Sequence, residues 1–348
     1  MGGVGPGSPR GHEPLRSQDL RSLPPTVIDV RDLRTHLVTR WGTIKAVDGI
    51  SFAVHEGETL GLVGESGSGK SMTCLSLVRL APRPAARTVG GQVLLDGDDL
   101  LTKSEREMQR IRGRRVAMIL QDPMSSLNPV FSVGMQVREP VASYHGLRGR
   151  ALTARAAALL GSVRIPSPLE RLRAFPHQLS GGMRQRVVGA MAIAGPPRLL
   201  IADEPTTSLD LTIQSQYLTL LKELQQRLRL AMIFVTHNLG IVARMCDRVA
   251  VMYAGRIVEI GPVRQIFKTP AHPYTRALLA SIPRLGTKTD QLTAIDGQPH
   301  DLATLPPGCA FAPRCADAMD RCRVEAPGET SLREGHATRC WLHVPGDA

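Results

Sequence analysis

Residues 1–25 are rich in Gly, Pro, Ser and Arg and have no apolar period, which predicts a flexible tail. From Val27 the pattern changes, and short β-branched runs alternate with helical stretches up to about Ile260. The runs predict strands at Val27–Val30, Thr59–Val63, Val93–Leu95, Val116–Leu120, Leu199–Ala202, Met232–Val235 and Val249–Tyr253. Helical spacing predicts helices at Lys70–Val78, Ser180–Ile193, Leu211–Arg229 and Leu239–Cys246. Strands alternating with helices imply an α/β domain with a largely parallel sheet. Between Pro129 and Leu179 the strand pattern disappears, and a mostly helical insertion with breaks at Pro166, Pro168 and Pro176 is expected. Beyond Pro270 come a short helix, Tyr274–Ser281, and an irregular tail rich in Gly, Pro and Cys. The sequence shows no internal repeat.

Composition narrows the picture. At 348 residues the chain has a prior of about two domains, and 42% hydrophobic with 21% charged residues excludes a disordered chain. The excess of 43 Lys and Arg over 31 Asp and Glu gives +12, which suits a polyphosphate ligand, nucleic acid or an anionic membrane face without choosing among them. Aromatic residues are only 3%, too few for stacking platforms that hold single-stranded nucleic acid. No apolar run approaches the ~18 residues of a membrane span. The longest, Val187 to Ala194, ends at Gly195-Pro196-Pro197. No Lys/Arg-led apolar leader and no lipidation motif is visible. A cytosolic chain, soluble or peripheral to the membrane, is expected.

Gly64-Glu65-Ser66-Gly67-Ser68-Gly69-Lys70-Ser71 fits G-x-x-x-x-G-K-[ST], follows a strand pattern and precedes a helical one. Glycines let the backbone close around phosphate oxygens, and a helix N-terminus adds its dipole. Lys70 is expected at the β- and γ-phosphates and Ser71 on Mg²⁺. A second element supports the first: Leu199-Leu200-Ile201-Ala202-Asp203-Glu204 is a buried-strand pattern ending in two carboxylates. Asp203 suits the Mg²⁺ shell, and Glu204 suits polarising a water for in-line attack on the γ-phosphate.

Leu179-Ser180-Gly181-Gly182-Met183-Arg184-Gln185-Arg186 resembles the signature motif of ATP-binding cassette (ABC) ATPases. The resemblance implies a P-loop NTPase cassette with a parallel-sheet core, a β-subdomain and a helical subdomain. It also implies a head-to-tail dimer in which Ser180, Gly181 and Gly182 complete the partner's ATP site. Other family parts match in order: Gln121 resembles the Q-loop glutamine, Ser208 and Asp210 the D-loop, and His237 the switch histidine that senses the γ-phosphate. Trp41 lies where the family stacks an aromatic on adenine. Asn238 departs from the family's usual Asp, a change not expected to abolish activity.

The resemblance narrows further. Ser180–Arg186, His272-Pro273-Tyr274-Thr275-Arg276-Ala277-Leu278-Leu279 and Gly308-Cys309-Ala310-Phe311-Ala312-Pro313-Arg314-Cys315 resemble the ATPase subunits of bacterial oligopeptide, dipeptide and nickel importers. That implies an ABC domain over 26–268, with its helical subdomain about 129–185, and a small Cys-containing C-terminal extension over 269–348. It implies ATP and Mg²⁺, two permease subunits, an extracytoplasmic solute-binding protein, a second ATPase subunit (a paralogue, giving a heterodimer) and a peripheral position on the cytoplasmic side of the cell membrane. The competing class is a cassette ATPase acting on nucleic acid or ribosomes. Only 110 residues separate Lys70 from Ser180, without a heptad run, and one cassette is present; nucleic acid is therefore not the expected partner. An export cassette is disfavoured by the C-terminal extension.

Four of the 6 cysteines crowd into the extension: Cys309, Cys315, Cys322 and Cys340, spaced C-x5-C-x6-C-x17-C. Clustered cytosolic cysteines suggest metal ligation over disulfides, and thiolates suit both zinc and iron–sulfur clusters. Spacing alone leaves open a cluster, a zinc site using His336 or His343, and plain thiols. Resemblance to the importer ATPases implies a [4Fe–4S] cluster with a structural or regulatory role. Cys74 and Cys246 are expected as buried apolar residues.

Overall fold

The computed structural model describes residues 24–40, 42–121, 126–207, 209–282, 295–298 and 300–344. Trp41, Ser208 and residues 1–23 lie outside the described residues, so the expectations placed there are not addressed by it.

Two sheets organise the chain. The first is antiparallel, in the order β2-β1-β4-β5, from strands β1 (Thr26–Thr39), β2 (Gly42–His55), β4 (Ala86–Leu95) and β5 (Asp98–Asp99). The second is eight-stranded, in the order β11-β12-β10-β9-β3-β8-β7-β6. Its strands are β3 (Thr59–Val63), β6 (Val116–Ile119), β7 (Leu199–Asp203), β8 (Ala231–Val235), β9 (Arg248–Tyr253), β10 (Arg256–Pro262), β11 (Thr330–Arg333) and β12 (His336–Thr338). Strands β9, β3, β8, β7 and β6 run parallel, and β10, β12 and β11 continue the sheet antiparallel.

The parallel strands are apolar on both faces because both faces are covered. Alternate residues part between two cores with the strand's period of two. Leu60, Leu62, Ile201, Ile233 and Met252 pack toward the antiparallel sheet and the helix Lys70–Leu77. Val63, Leu200, Phe234 and Val251 pack toward the helical side. That side holds the helices Val133–His145, Gly149–Ser162 and Pro168–Arg171, in the segment expected to be mostly helical, and Gly181–Ala192, where the helix Ser180–Ile193 was expected. Cys74 and Cys246 are buried as expected, and burial pushes the Cys246 thiol up to about 12.

Two expectations are corrected. The antiparallel sheet is larger than the short runs indicated, with the whole of β2 added. The tail is also less irregular than its composition suggests: β11 and β12 form a hairpin, and β12 pairs with β10 through Glu259 with Thr338 and Ile260 with Ala337. A buried Glu259–His336 pair, Oε1 to Nε2 at 2.8 Å, accompanies that junction. Among the described residues no helix is long and apolar enough to cross a membrane.

Candidate functional site

The candidate chemistry collects beyond the carboxyl ends of the parallel strands, where open α/β sheets place their ligands. β3 lies between β8 and β9, so the loop leaving it, Gly64–Gly69, is flanked by the ends of both. That loop needs its glycines. Gly64 has φ 151° and Gly69 φ 104°; a Cβ at either would sit 2.2 Å from a carbonyl oxygen, of Met252 or Ala46. Gly69 caps the helix that Lys70 and Ser71 open. The Lys70 ammonium is buried in the loop and donates to the Gly64 and Glu65 carbonyls, each at 2.8 Å. Burial lowers its pKa from the ordinary lysine value, while Glu204 and Asp203 oppose the shift.

β7 delivers the carboxylates. Asp203, buried at its end, accepts from the Ser71 hydroxyl at 3.2 Å. Burial raises the Asp203 pKa, the Ser71 bond lowers it, and the neighbouring Glu204 charge raises it again. A hydroxyl and a carboxylate side by side are hard oxygen donors, the kind Mg²⁺ takes, so these residues fit that ion. Glu204 follows with φ 46°, a left-handed conformation uncommon for a residue with a side chain and worth roughly 1–3 kcal/mol of local strain. Its carboxylate is the hub: Gln121 Nε2 donates from 3.2 Å, Thr207 Oγ1 donates from 3.0 Å, and His237 Nδ1 lies 3.4 Å away. Gln121 comes from beyond β6 and His237 from beyond β8. A cleft of about 560 Å³ is lined by Lys70, Ser71, Gln121, Glu204 and His237, with Leu302 from the C-terminal extension.

Ser180, Gly181 and Gly182 do not line this cleft. Ser180 instead caps the helix Gly181–Ala192, its hydroxyl accepting from the Met183 amide at 3.3 Å. A Cβ on Gly182 would meet the Ile213 Cγ2 methyl at 2.4 Å, so a side chain there would have to displace Ile213. From the same helix, Gln185 donates to the Pro205 carbonyl at 2.7 Å, tying the signature segment to the loop that carries Glu204. Asp210 caps the helix Leu211–Leu228, accepting from Ile213 at 3.0 Å. Asn238 caps the helix Leu239–Met245, accepting from Gly240 and Ile241. Asn caps as well as Asp, which explains why this departure from the family pattern leaves the local structure whole.

Thr207 and Leu302 were not candidates from sequence. A threonine three residues after Glu204 carries no pattern of its own, and Leu302 reaches the cleft only through the path of the extension. Tyr274 and Arg314 lay inside motifs that had been assigned no chemistry.

Cys309, Cys315, Cys322 and Cys340 are all free thiols. Among the described residues no group of three or more His, Cys, Asp and Glu side chains could hold a metal ion. His336, a candidate zinc ligand, is committed to Glu259 instead, and His343 lies against the Ala271 carbonyl. Burial chiefly pushes the Cys340 thiol up to about 11, and the charges of Cys309, Cys315 and Cys322 add to the shift.

Comparison with known proteins places the chain. Residues 47–207 match the ABC transporter family, and residues 258–322 match the oligopeptide/dipeptide transporter C-terminal region. The dipeptide transport ATP-binding protein DppD of Bacillus subtilis is 48% identical over 316 residues, covering 91% of this chain and 94% of its own. The oligopeptide transport ATP-binding protein OppD of the same organism is 48% identical over 320 residues, covering 92% and 89%. Among solved structures, the dimeric bacterial ABC transporter cassette MJ0796 aligns with a TM-score of 0.61 at 26% identity, over 68% of this chain and 99% of its own. The same cassette in a post-hydrolysis state bound to ADP and Pi aligns equally, at 25% identity. The chain belongs to the ABC transporter family, as an ATP-binding subunit of the oligopeptide/dipeptide-transporter branch. It is an ATPase of the P-loop cassette fold.

Proposed function

We propose that the chain powers a bacterial importer of oligopeptides or dipeptides, acting with a second ATPase subunit, two permease subunits and an extracytoplasmic solute-binding protein. The observation that carries the reading is the convergence of Lys70, Ser71, Asp203, Gln121 and His237 around the strained Glu204, in a chain whose extension matches the peptide-transporter C-terminal region.

In this reading the Gly64–Gly69 amides and Lys70 cradle the ATP phosphates. Ser71, Asp203 and Gln121 would hold Mg²⁺, which when bound neutralises charge on the β- and γ-phosphates. Glu204 accepts the proton of the attacking water. Gln121 and Thr207 fix the orientation of its carboxylate, and His237 reports the γ-phosphate. Ser180, Gly181 and Gly182 face a partner's ATP; their absence from the cleft of their own chain supports that assignment. Two cassettes then close on ATP and reopen after hydrolysis, which requires ATP to favour the closed dimer strongly. Ser208 and Asp210 would cross that interface, and Trp41 would stack on adenine.

Peripheral attachment at the cytoplasmic face through protein contacts is supported by exposed apolar side chains before and at the start of the helical insertion: Leu120, Val130, Phe131 and Met135 are exposed, Val130 by 74%. A cleft of about 520 Å³ is lined by Leu120 with Pro140, Tyr144 and Met191. The division into a cassette ending near residue 268 and an extension beginning at 269 belongs to the same proposal.

We further propose that Cys309, Cys315, Cys322 and Cys340 ligate a [4Fe–4S] cluster. Support comes from the four cysteines gathered in the extension and from backbone amides at three of the sulfurs, Phe311 and Ala312 at Cys309, Asp317 at Cys315 and Leu342 at Cys340. Four thiols are the donor set such clusters take.

The test is reconstitution in proteoliposomes with permease and binding-protein subunits. ATP-dependent uptake of labelled di- or oligopeptides is expected. ATPase activity stimulated by nucleic acid but not by peptide-loaded binding protein would overturn the reading.

A further inference from the structure

Glu65 stands second in the phosphate loop, and its side chain turns away from the cleft into the C-terminal extension. There Arg314 meets it with both arms: Nη1 lies 2.7 Å from Oε2 and Nη2 lies 3.1 Å from Oε1. The Arg314 side chain is only 4% exposed, whereas Glu65 keeps 25%. The remaining guanidinium contacts are made as well, Nε to the Asp296 carbonyl at 3.0 Å and Nη1 to the Tyr253 hydroxyl at 3.4 Å. Glu65 is held a second time through its backbone, whose N–H donates to the Tyr274 hydroxyl at 2.8 Å. Tyr274 is buried and packs with Tyr253 and Phe311, ring centroids 4.6 and 5.3 Å away. Glu65 is held a third time by its carbonyl, which accepts from Lys70.

One loop residue therefore joins the extension to the lysine that faces the phosphates. The bidentate contact is charge-assisted and largely desolvated, unlike an exposed ion pair. Phosphate-loop function depends on amides held in one arrangement, and catalytic geometry tolerates little displacement. The extension also supplies Leu302 to the wall of the cleft, and Asp301 and Leu302 line a cavity of about 200 Å³ against the outer side of Ser66 and Gly67.

We propose that the C-terminal extension is part of the ATP site, with Arg314 and Tyr274 as positioning residues that hold the phosphate loop at Glu65, so that nucleotide affinity reads the folded state of the extension. This rests on Gly64–Ser71 being the ATP site.

The test measures binding of a fluorescent ATP analogue to the full chain, alongside Tm. Arg314→Met removes the cation but keeps an apolar stem, and Glu65 can turn to water. Tyr274→Phe removes one hydroxyl. Each is expected to weaken binding, by about tenfold for Arg314→Met and severalfold for Tyr274→Phe, a scale set by single hydrogen-bonded anchors. Arg314→Lys should restore part of the loss. Combining Arg314→Met with Glu65→Gln should weaken binding by less than the product of the two single effects, since both break one link. A merely structural role would lower Tm and leave the affinity of the folded chain unchanged. Wild-type affinity in folded Arg314→Met and in Tyr274→Phe overturns the proposal. Should Arg314→Met not fold, Tyr274→Phe and Arg314→Lys decide it by the same affinity criterion. Lys70→Ala is the control: if it binds nucleotide like the wild type, the site assignment itself fails, and the inference with it.

Discussion

Gln121 donates to Glu204 across 3.2 Å although 83 residues separate them in sequence, so the loop after β6 and the end of β7 are tied at one carboxylate. Glu204→Gln removes the proposed proton acceptor while keeping shape and leaving the phosphate loop untouched. Turnover should fall by about 10²–10⁴-fold, the usual contribution of a positioned acid–base group. ATP binding should persist, and ATP-loaded dimers should accumulate on size exclusion. Near-normal phosphate release by the assembled transporter would remove Glu204 from its role.

Asn238 tests whether the departure from the usual Asp is a matter of capping. Its side chain accepts from Gly240 at 2.9 Å and Ile241 at 3.3 Å. Asn238→Asp should leave stability within a few tenths of a kcal/mol, whereas Asn238→Ala should cost about 1 kcal/mol. Urea unfolding of the two variants checks this, and equal destabilisation by both would reject the capping account.

His272 sets an acid limit on the extension. It caps the helix Pro273–Ala280, its Nδ1 accepting from the Tyr274 amide at 3.0 Å. Burial lowers its pKa from 6.5 to about 3, with Arg276 and His343 adding repulsion. The folded chain thus binds fewer protons here than the unfolded chain. The histidine's contribution is complete above pH 6.5 and is lost progressively as pH falls toward 3. His272→Asn keeps an acceptor at the cap and removes the titration. Its Tm should fall less steeply than the wild type's between pH 6.5 and 4.5, and parallel curves would exonerate His272.

The four thiols make a spectroscopic prediction. Anaerobically purified protein should be brown, with about four irons per chain, as four thiolate ligands imply. Cys315→Ser should bleach it. Colourless protein carrying one zinc and no iron would favour the zinc alternative.

Much of the site was legible because its parts are local. The phosphate loop, the Asp203-Glu204 strand end and the signature segment are each written in consecutive residues, and β3 appears where its apolar run ends. β2 was hidden because Lys45, Asp48 and Gly49 interrupt its alternation. Asp48 is buried with Arg256 reaching it at 2.7 Å from 208 residues away and Arg34 at 3.7 Å. Leu302, Arg314 and Tyr274 escaped for the same reason, each gaining its meaning from a distant partner, whereas Thr207 lies three residues from Glu204 but carries no pattern of its own. The hairpin of β11 and β12 was obscured by a short, polar sequence that forms strands only against the edge of β10.

That hairpin also covers the edge of β10. β10 is a seven-residue strand, buried along five consecutive positions, and without β12 its outer backbone groups would stand open as a template for another chain. With the hairpin in place the sheet ends at β11, four residues long and carrying Arg333, a terminus ill-suited to accept a stranger. Cutting the chain after residue 327 would therefore do more than discard the Cys340 thiol: it would uncover the backbone of β10 at Glu259 and Ile260, turning a closed border into an adhesive one.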